Sequence, residues 1–102
     1  NLEIIDQVVP RSGIYITEAE VKGRRHSSLT SIGVRPTFHK EKGAEVVVET
    51  YIFDFSENIY GEEVTLYFLK RIRDEEKFNS IEALKNKMNE DLSIGKEYFK
   101  NR

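Results

Sequence analysis

The hydrophobic period of the sequence changes once, after Phe78, and this change limits the folds that the chain can adopt. From Gly13 to Arg73, apolar residues occur in short runs typical of strands, separated by polar connections that contain glycine or proline. After Phe78 they recur at three- and four-residue spacing, which is typical of an amphipathic helix. Strands joined by short connections, with no helical period between them, predict an antiparallel meander or barrel followed by one helix.

The boundaries of the predicted strands follow from the turn residues between them. The strands span residues 14–21, 29–34, 45–55 and 64–73. The polar stretch 22–28 is predicted to be a solvated hairpin connection, because no aromatic residue is interleaved with its cations. Pro36 cannot donate to a sheet ladder, so the second strand is predicted to end or to reach a sheet edge there.

The helix is predicted to begin near Asn79. Asn79 and Glu82 have the three-residue spacing of a capping box. The apolar residues that follow at helical spacing are Ile81, Leu84, Met88 and Leu92. We expect these four side chains to pack against the strands, and Gly95 to end or fray the helix.

Composition excludes several classes of protein. A chain of 102 residues is long enough for one domain, and its net charge of −2 gives no excess of one sign that would attract DNA or a membrane. There is no cysteine for a disulfide or a thiolate metal site. No apolar run is long enough to span a bilayer, and the first residues lack the pattern of a secretion signal. The sequence therefore predicts a cytoplasmic protein with no nucleic-acid or membrane partner.

Two residue types associated with catalysis were considered individually. His26 and His39 lie in polar stretches without a suitably spaced partner, so both are predicted to be exposed and non-functional.

Glu49 lies inside the apolar run VVVETYIFDF, both faces of which are predicted to be buried. A carboxylate there is costly unless it is paired or opens onto a site. Two interpretations stay open: an ion pair with Arg71 or Arg73, or a catalytic role.

Several motifs, taken in order and spacing, resemble the bacterial riboflavin kinase family. They are GIYI at Gly13, SIGVRPTF at Ser31, VETYIFDF at Val48, NIYGEEV at Asn58, RIRDEEKFNSIEAL at Arg71 and NEDL at Asn89. The resemblance covers nearly the whole chain and implies that residues 1–102 are one kinase domain. It implies a six-stranded antiparallel Greek-key barrel, with its first strand upstream of this sequence, and a C-terminal helix.

The resemblance also implies a reaction and a general base. Members of this family phosphorylate the 5′-hydroxyl of riboflavin with magnesium ATP to give FMN. The glutamate of the family's strand motif corresponds to Glu49, which would take the proton of the attacking hydroxyl. The histidine that commonly follows two positions later is Tyr51 here, a difference that affects packing more than chemistry.

Further site residues follow from the same resemblance. Ile52, Asp54 and Tyr60 are expected to border the nucleotide. Arg73 and Glu76 are expected to face the flavin, the first as a donor of hydrogen bonds and the second as an acceptor.

The beginning of the sequence corresponds to the end of a further family motif, P-T-A-N. Asn1 is expected to be its last residue and a metal ligand, with the phosphate loop, the first strand and the metal-binding threonine upstream. A polypeptide limited to these residues is therefore expected to be a poor kinase. The kinase usually forms the C-terminal half of a bifunctional protein, so an N-terminal FMN adenylyltransferase domain is the expected covalent partner.

Two other functions compete with the kinase. One is a non-catalytic barrel that binds flavin or nucleotide. The other is a small barrel that binds single-stranded nucleic acid by stacking bases on aromatic residues along a basic groove. The second is poorly supported, because the aromatic residues of 51–68 are interleaved with acids as often as with bases.

Overall fold

The computed structural model describes residues 10–36, 44–56 and 61–101. Within these ranges, four strands form one antiparallel sheet and a helix follows them. The strands are β1 (Gly13–Val21), β2 (Arg24–Pro36), β3 (Ala44–Ile52) and β4 (Val64–Arg73), and the helix α1 is Ile81–Lys100. The prediction of antiparallel strands followed by one C-terminal helix is confirmed for the described residues. Expectations for Asn1, His39 and Tyr60 fall outside them.

The strand order is that of a Greek key. β1 lies between β2 and β4, and β3 pairs with the other side of β2, giving the order β3-β2-β1-β4. Three successive strands are therefore neighbours, and the fourth returns beside the first.

The connection between β1 and β2 is shorter than predicted. Val21 pairs with Arg24, so only Lys22 and Gly23 form the turn, and both have positive φ, 53° and 78°. This conformation matches the right-handed twist of a hairpin. Residues 24–28 therefore belong to the strand ladder. Arg24 and Arg25 are exposed there, whereas Ser28 is fully buried.

The core lies on one face of the sheet and is centred on β1. Tyr15, Ile32 and Val48 are buried together, with Leu66 and Phe68 packed against them. The rings of Tyr15 and Phe68 meet edge to face at 5.1 Å, a favourable arrangement for two aromatic rings. Ile16, on the opposite face of β1, is also fully buried. β1 is thus covered on both sides, as its central position in the sheet requires.

A chain of hydroxyl groups crosses the sheet within this core. The Thr17 hydroxyl lies 2.7 Å from that of Ser28 and 2.9 Å from that of Thr30, which in turn lies 2.9 Å from that of Thr50. Thr17, Ser28 and Thr30 are fully buried. Each hydroxyl can both donate and accept, so the chain satisfies polar groups that would be costly if buried alone.

The start and end of the helix differ from the predictions. Ser80, not Asn79, is the N-cap: it has extended backbone geometry and its hydroxyl accepts a 3.1 Å hydrogen bond from the Ala83 amide. Gly95 does not end the helix but lies buried within it, where a Cβ would come within 2.9 Å of the Phe53 ring. Glycine there lets α1 approach the end of β3. Among the described residues, no helix is long and apolar enough to cross a bilayer.

The apolar stripe of α1 does not pack as expected. Ile81 is 72% exposed, and Leu84 and Met88 are also exposed, so only the C-terminal half of the helix is closely packed on the sheet. The prediction that β3 is buried on both faces is also wrong, because Val46 and Tyr51 are exposed. These two residues lie on opposite faces of β3, which is at the edge of the described sheet and has a neighbouring strand on one side only.

We predict that Thr30→Val lowers the free energy of unfolding by about 1–3 kcal/mol, because it leaves the Thr17 and Thr50 hydroxyls without their shared partner. Thr65→Val on the exposed side of β4 is the matched control and should change it by less than about 0.5 kcal/mol. Urea unfolding of the two variants measures both values. Equal stability of the two would show that the hydroxyl chain contributes nothing.

Candidate functional site

A cleft of about 560 Å³ lies between the sheet and α1. Its residues come from every described strand, from the connection between β4 and α1, and from α1 itself. They are Ile14, Leu29, Thr30, Ser31, Arg35, Glu49, Thr50, Tyr51, Arg73, Glu75, Glu76, Phe78, Leu84, Met88, Asp91 and Leu92. The cleft therefore contains three of the predicted site residues, Glu49, Arg73 and Glu76.

The cleft is apolar along α1 and charged elsewhere. Leu84, Met88 and Leu92 follow one another at four-residue spacing, so they share one face of the helix and form a continuous wall. Because these side chains stand away from the sheet, two of them remain exposed. An apolar wall beside a few charged groups suits a ligand with flat apolar faces and a polar edge.

Glu49 lies on the open face of β3. Its side chain is 55% exposed, and its Oε1 lies 3.5 Å from Nη2 of Arg35 on the neighbouring strand. Neither cation named by the pairing interpretation is its partner: Arg71 binds Asp74, and Arg73 binds Asp91. Because the pair with Arg35 is exposed on both sides, it is weak. The Glu49 carboxylate is therefore accessible from the cleft.

Arg73 is held by a buried carboxylate of α1. Its Nε donates to Oδ1 of Asp91 at 2.9 Å, and its Nη2 donates to Oδ2 at 2.6 Å. Its Nη1 donates to the Asp74 carbonyl at 2.9 Å and lies 4.0 Å from Oε1 of Glu76. The hydrogen bonds to Asp91 raise the pKa of Arg73 above its ordinary value, against the opposing effect of burial.

Two glycines admit charged side chains of this region against the sheet. Gly13 has a φ of 147°, and a Cβ there would lie 2.7 Å from Nε of Arg71. A Cβ on Gly33 would overlap the carboxylate of Glu75. Because these two positions have no side chain, Arg71 can pack against the backbone of β1 at Gly13, and Glu75 can pack against the backbone of β2 at Gly33.

The two described residues predicted to border the nucleotide do not line this cleft. Ile52 is the last residue of β3 and pairs with Ser28, and Asp54 lies exposed in the following turn with a φ of 51°. Phe55 follows Asp54, and its ring packs edge-on to His26 with 4.9 Å between the ring centroids. His26 is therefore half-buried, and the prediction that it is exposed is wrong.

Phe55 and His26 also line a second cavity, of about 290 Å³, at the β1–β2 turn. Its other residues are Val21, Lys22 and Arg24. This second cavity shares no lining residue with the cleft.

Metal ligands were sought among the acidic and histidine side chains. Within the described ranges, no group of three or more such residues is arranged to hold a metal ion. The predicted ligand Asn1 lies outside those ranges.

The cleft residues that bind predicted site residues, Asp91 with Arg73 and Arg35 with Glu49, were not themselves predicted. Asp91 had a detectable signal, because it lies three residues after Met88 and so places a charge on the apolar stripe of α1. Arg35 had none, because its pairing with Glu49 depends on the register between β2 and β3.

Comparisons with known proteins identify a family that covers nearly the whole chain. The family model "Flavokinase: Riboflavin kinase" matches residues 1–99. A bifunctional riboflavin kinase/FMN adenylyltransferase of Bacillus subtilis is 35% identical over 94 residues, which cover 92% of this chain and 30% of that protein. The chain thus spans less than a third of this relative's length.

Two further similarities extend this result. An RNA-binding riboflavin kinase of Bacillus subtilis, RibR, is 36% identical over 81% of this chain and 35% of its own length. A crystal structure described as a macrolide-efflux protein from Streptococcus pneumoniae aligns with a TM-score of 0.83 and 34% identity, covering 90% of this chain and 30% of that one. Because one relative is named as RNA-binding, the absence of a nucleic-acid partner stays a prediction.

We predict that the pKa of Asp74 lies below its ordinary value, chiefly because its carboxylate accepts a 2.5 Å hydrogen bond from Arg71. The ionised form then stabilises the fold above the ordinary pKa, and this contribution is lost as the pH falls through the lowered one. Carboxyl NMR titration should show the Asp74 midpoint rising towards its ordinary value in Arg71→Gln and staying low in Arg35→Gln. An unchanged midpoint in Arg71→Gln would contradict this assignment.

Proposed function

The chain belongs to the riboflavin kinase family, and we propose that it transfers the γ-phosphoryl group of ATP to the 5′-hydroxyl of riboflavin, giving FMN and ADP. The observation that carries this proposal is the cleft in which the accessible carboxylate of Glu49 and the apolar wall of α1 line the same space. Phosphoryl transfer to an alcohol needs both a bound, oriented hydroxyl and a group that accepts its proton.

The flavin ring binds along the apolar wall. Its flat tricyclic system has apolar faces, which Leu84 and Met88 can cover, and a polar edge of carbonyl and ring nitrogen atoms. Arg73 donates hydrogen bonds to acceptors on that edge. Glu76, whose Oε1 lies 4.0 Å from Nη1 of Arg73, accepts hydrogen bonds from donors on it. Leu84 and Met88 are exposed without a ligand, so covering them contributes to affinity.

The ribityl chain then extends towards Glu49, which acts as the general base. The hydroxyl oxygen forms a bond to the γ-phosphorus, the bond from that phosphorus to the departing ADP oxygen breaks, and the hydroxyl proton passes to the Glu49 carboxylate. The exposed, weak pair with Arg35 leaves a carboxylate oxygen available for this proton.

The nucleotide and its divalent metal involve residues outside the cleft. The described residues alone do not form a metal site. Ile52, Asp54 and Tyr60 border the nucleotide, and Asn1 contributes to the metal site. This assignment is supported by the family's motif pattern, together with the position of Ile52 and Asp54 at the exit of the strand that carries Glu49.

The complete fold and the parent protein are also part of the proposal. The Greek-key order of the described strands supports a six-stranded barrel. The relatives named as bifunctional support an FMN adenylyltransferase domain linked to the N-terminal side of this one.

We predict that Glu49→Gln in the full-length protein lowers kcat by roughly 10²- to 10⁴-fold, with little change in KM, because the amide cannot accept the hydroxyl proton. Glu45→Gln is the matched control, since Glu45 is an exposed glutamate on the same strand and face. Steady-state kinetics and thermal melts on the same samples measure the effects.

A fully active Glu49→Gln variant would remove Glu49 from the mechanism. A wild-type protein that binds riboflavin and ATP without turnover would instead support the non-catalytic binding module.

We predict that Met88→Gln weakens riboflavin binding by roughly tenfold or more, because it replaces an apolar contact with a polar group that needs hydration. Ile94→Gln is the control: Ile94 is on the same helix and equally exposed, 47% for both residues, but it does not line the cleft. Quenching of riboflavin fluorescence measures both affinities. Equal affinities in the two variants would place the flavin elsewhere.

A further inference from the structure

Asp91 lines the cleft, but both of its carboxylate oxygens are hydrogen-bonded to another protein side chain. Asp91 is 4% exposed although it is charged, and both of its oxygens accept from the same guanidinium, that of Arg73. A carboxylate this deeply buried requires such pairing, since an unpaired one would be strongly destabilising. The side-on, two-bond contact also fixes the plane and direction of the guanidinium.

The orientation of Arg73 determines which of its donors can face a ligand. A guanidinium has five N–H groups, and three of those in Arg73 are directed to Asp91 and to the Asp74 carbonyl. One N–H remains on each Nη nitrogen, and Oε1 of Glu76 lies 4.0 Å from Nη1, beyond hydrogen-bond distance. Because Arg73 lines the cleft, these two groups are its available donors there.

Asp91 also fixes the helix wall relative to β4. It lies between Met88 and Leu92, both of which line the cleft, and Arg73 is the last residue of β4. The contact of Gly95 with Phe53 holds the following turn of α1 against the sheet. The ion pair is therefore the attachment point next to the part of α1 that stands away from the sheet.

We infer that Asp91 is a positioning residue for flavin binding, which orients the two remaining donors of Arg73 and sets the distance of the apolar wall from them. This inference rests on the proposed riboflavin kinase activity. Asp91 acts through Arg73, because both of its oxygens accept hydrogen bonds from that guanidinium. Its effect should appear in the binding of riboflavin rather than in the transfer of phosphate.

The test uses the full-length protein and compares Asp91→Asn with Glu90→Gln. The asparagine keeps the size of the side chain but presents an amide N–H to the Arg73 guanidinium. Glu90 is an exposed neighbour that pairs with Lys87 and acts on Arg73 through its charge alone, so Glu90→Gln removes a nearby charge without removing the two-bond contact. Asp91→Asn is expected to raise the riboflavin Kd and KM roughly tenfold to a hundredfold, the usual effect of losing one charge-assisted hydrogen bond. The kcat and the KM for ATP should change by less than about threefold. Glu90→Gln should change none of them.

A double-mutant cycle separates positioning from a structural role. Arg73→Lys removes the planar guanidinium that Asp91 orients. In that background, adding Asp91→Asn should raise the riboflavin Kd by less than about threefold relative to Arg73→Lys alone. A purely structural role predicts lower melting temperatures with an unchanged riboflavin Kd for the folded variants, and this result overturns the inference. If Asp91→Asn does not fold, Asp91→Glu, which displaces the carboxylate by one methylene, is measured by the same titration.

The two proposals fail in different ways. A wild-type protein that neither binds riboflavin nor phosphorylates it overturns the proposed function. An active wild-type protein whose Asp91 variants bind riboflavin with unchanged affinity overturns only the role of Asp91.

Discussion

The ion pair between Arg73 and Asp91 is the constraint on which the arrangement of helix and sheet depends. It joins the last residue of β4 to the middle of α1 through two hydrogen bonds of 2.9 and 2.6 Å. Buried pairs of this kind add little net stability, because desolvation offsets most of their attraction, but breaking one partner is costly. The pair therefore acts mainly on geometry. It keeps α1 at a fixed place while its N-terminal half remains clear of the sheet.

The cleft exists because the helix is packed unevenly. Near Gly95 the helix backbone approaches Phe53 and Leu29 closely, whereas Leu84 and Met88 remain exposed. A helix packed along its whole length would bury more apolar area but would leave no room for a ligand. The exposed apolar wall is thus a loss of stability that a bound flat ligand can recover.

Periodicity was sufficient to predict the strands and the helix, because alternation and helical spacing are local properties. It also singled out Glu49, whereas Arg73 and Glu76, which the structure brings to the same cleft, were predicted only from the resemblance to a family. The predictions that failed depend on tertiary context. The exposure of β3 follows from its position at the edge of the described sheet, and the Glu49 partner follows from strand register. Neither is encoded in the neighbouring residues.

The chain of hydroxyls through the core has a consequence for how the sequence can diverge. Replacing one of these residues with an apolar one leaves the adjoining hydroxyls without a hydrogen-bond partner. Replacing both interacting residues at once with apolar residues of the same shape can be nearly neutral. Thr17, Ser28, Thr30 and Thr50 belong to three different strands, so they form one epistatic unit spread along the sequence. Substitutions at these positions should be accepted together or not at all, which would make them covary among homologues although no ligand contact links them.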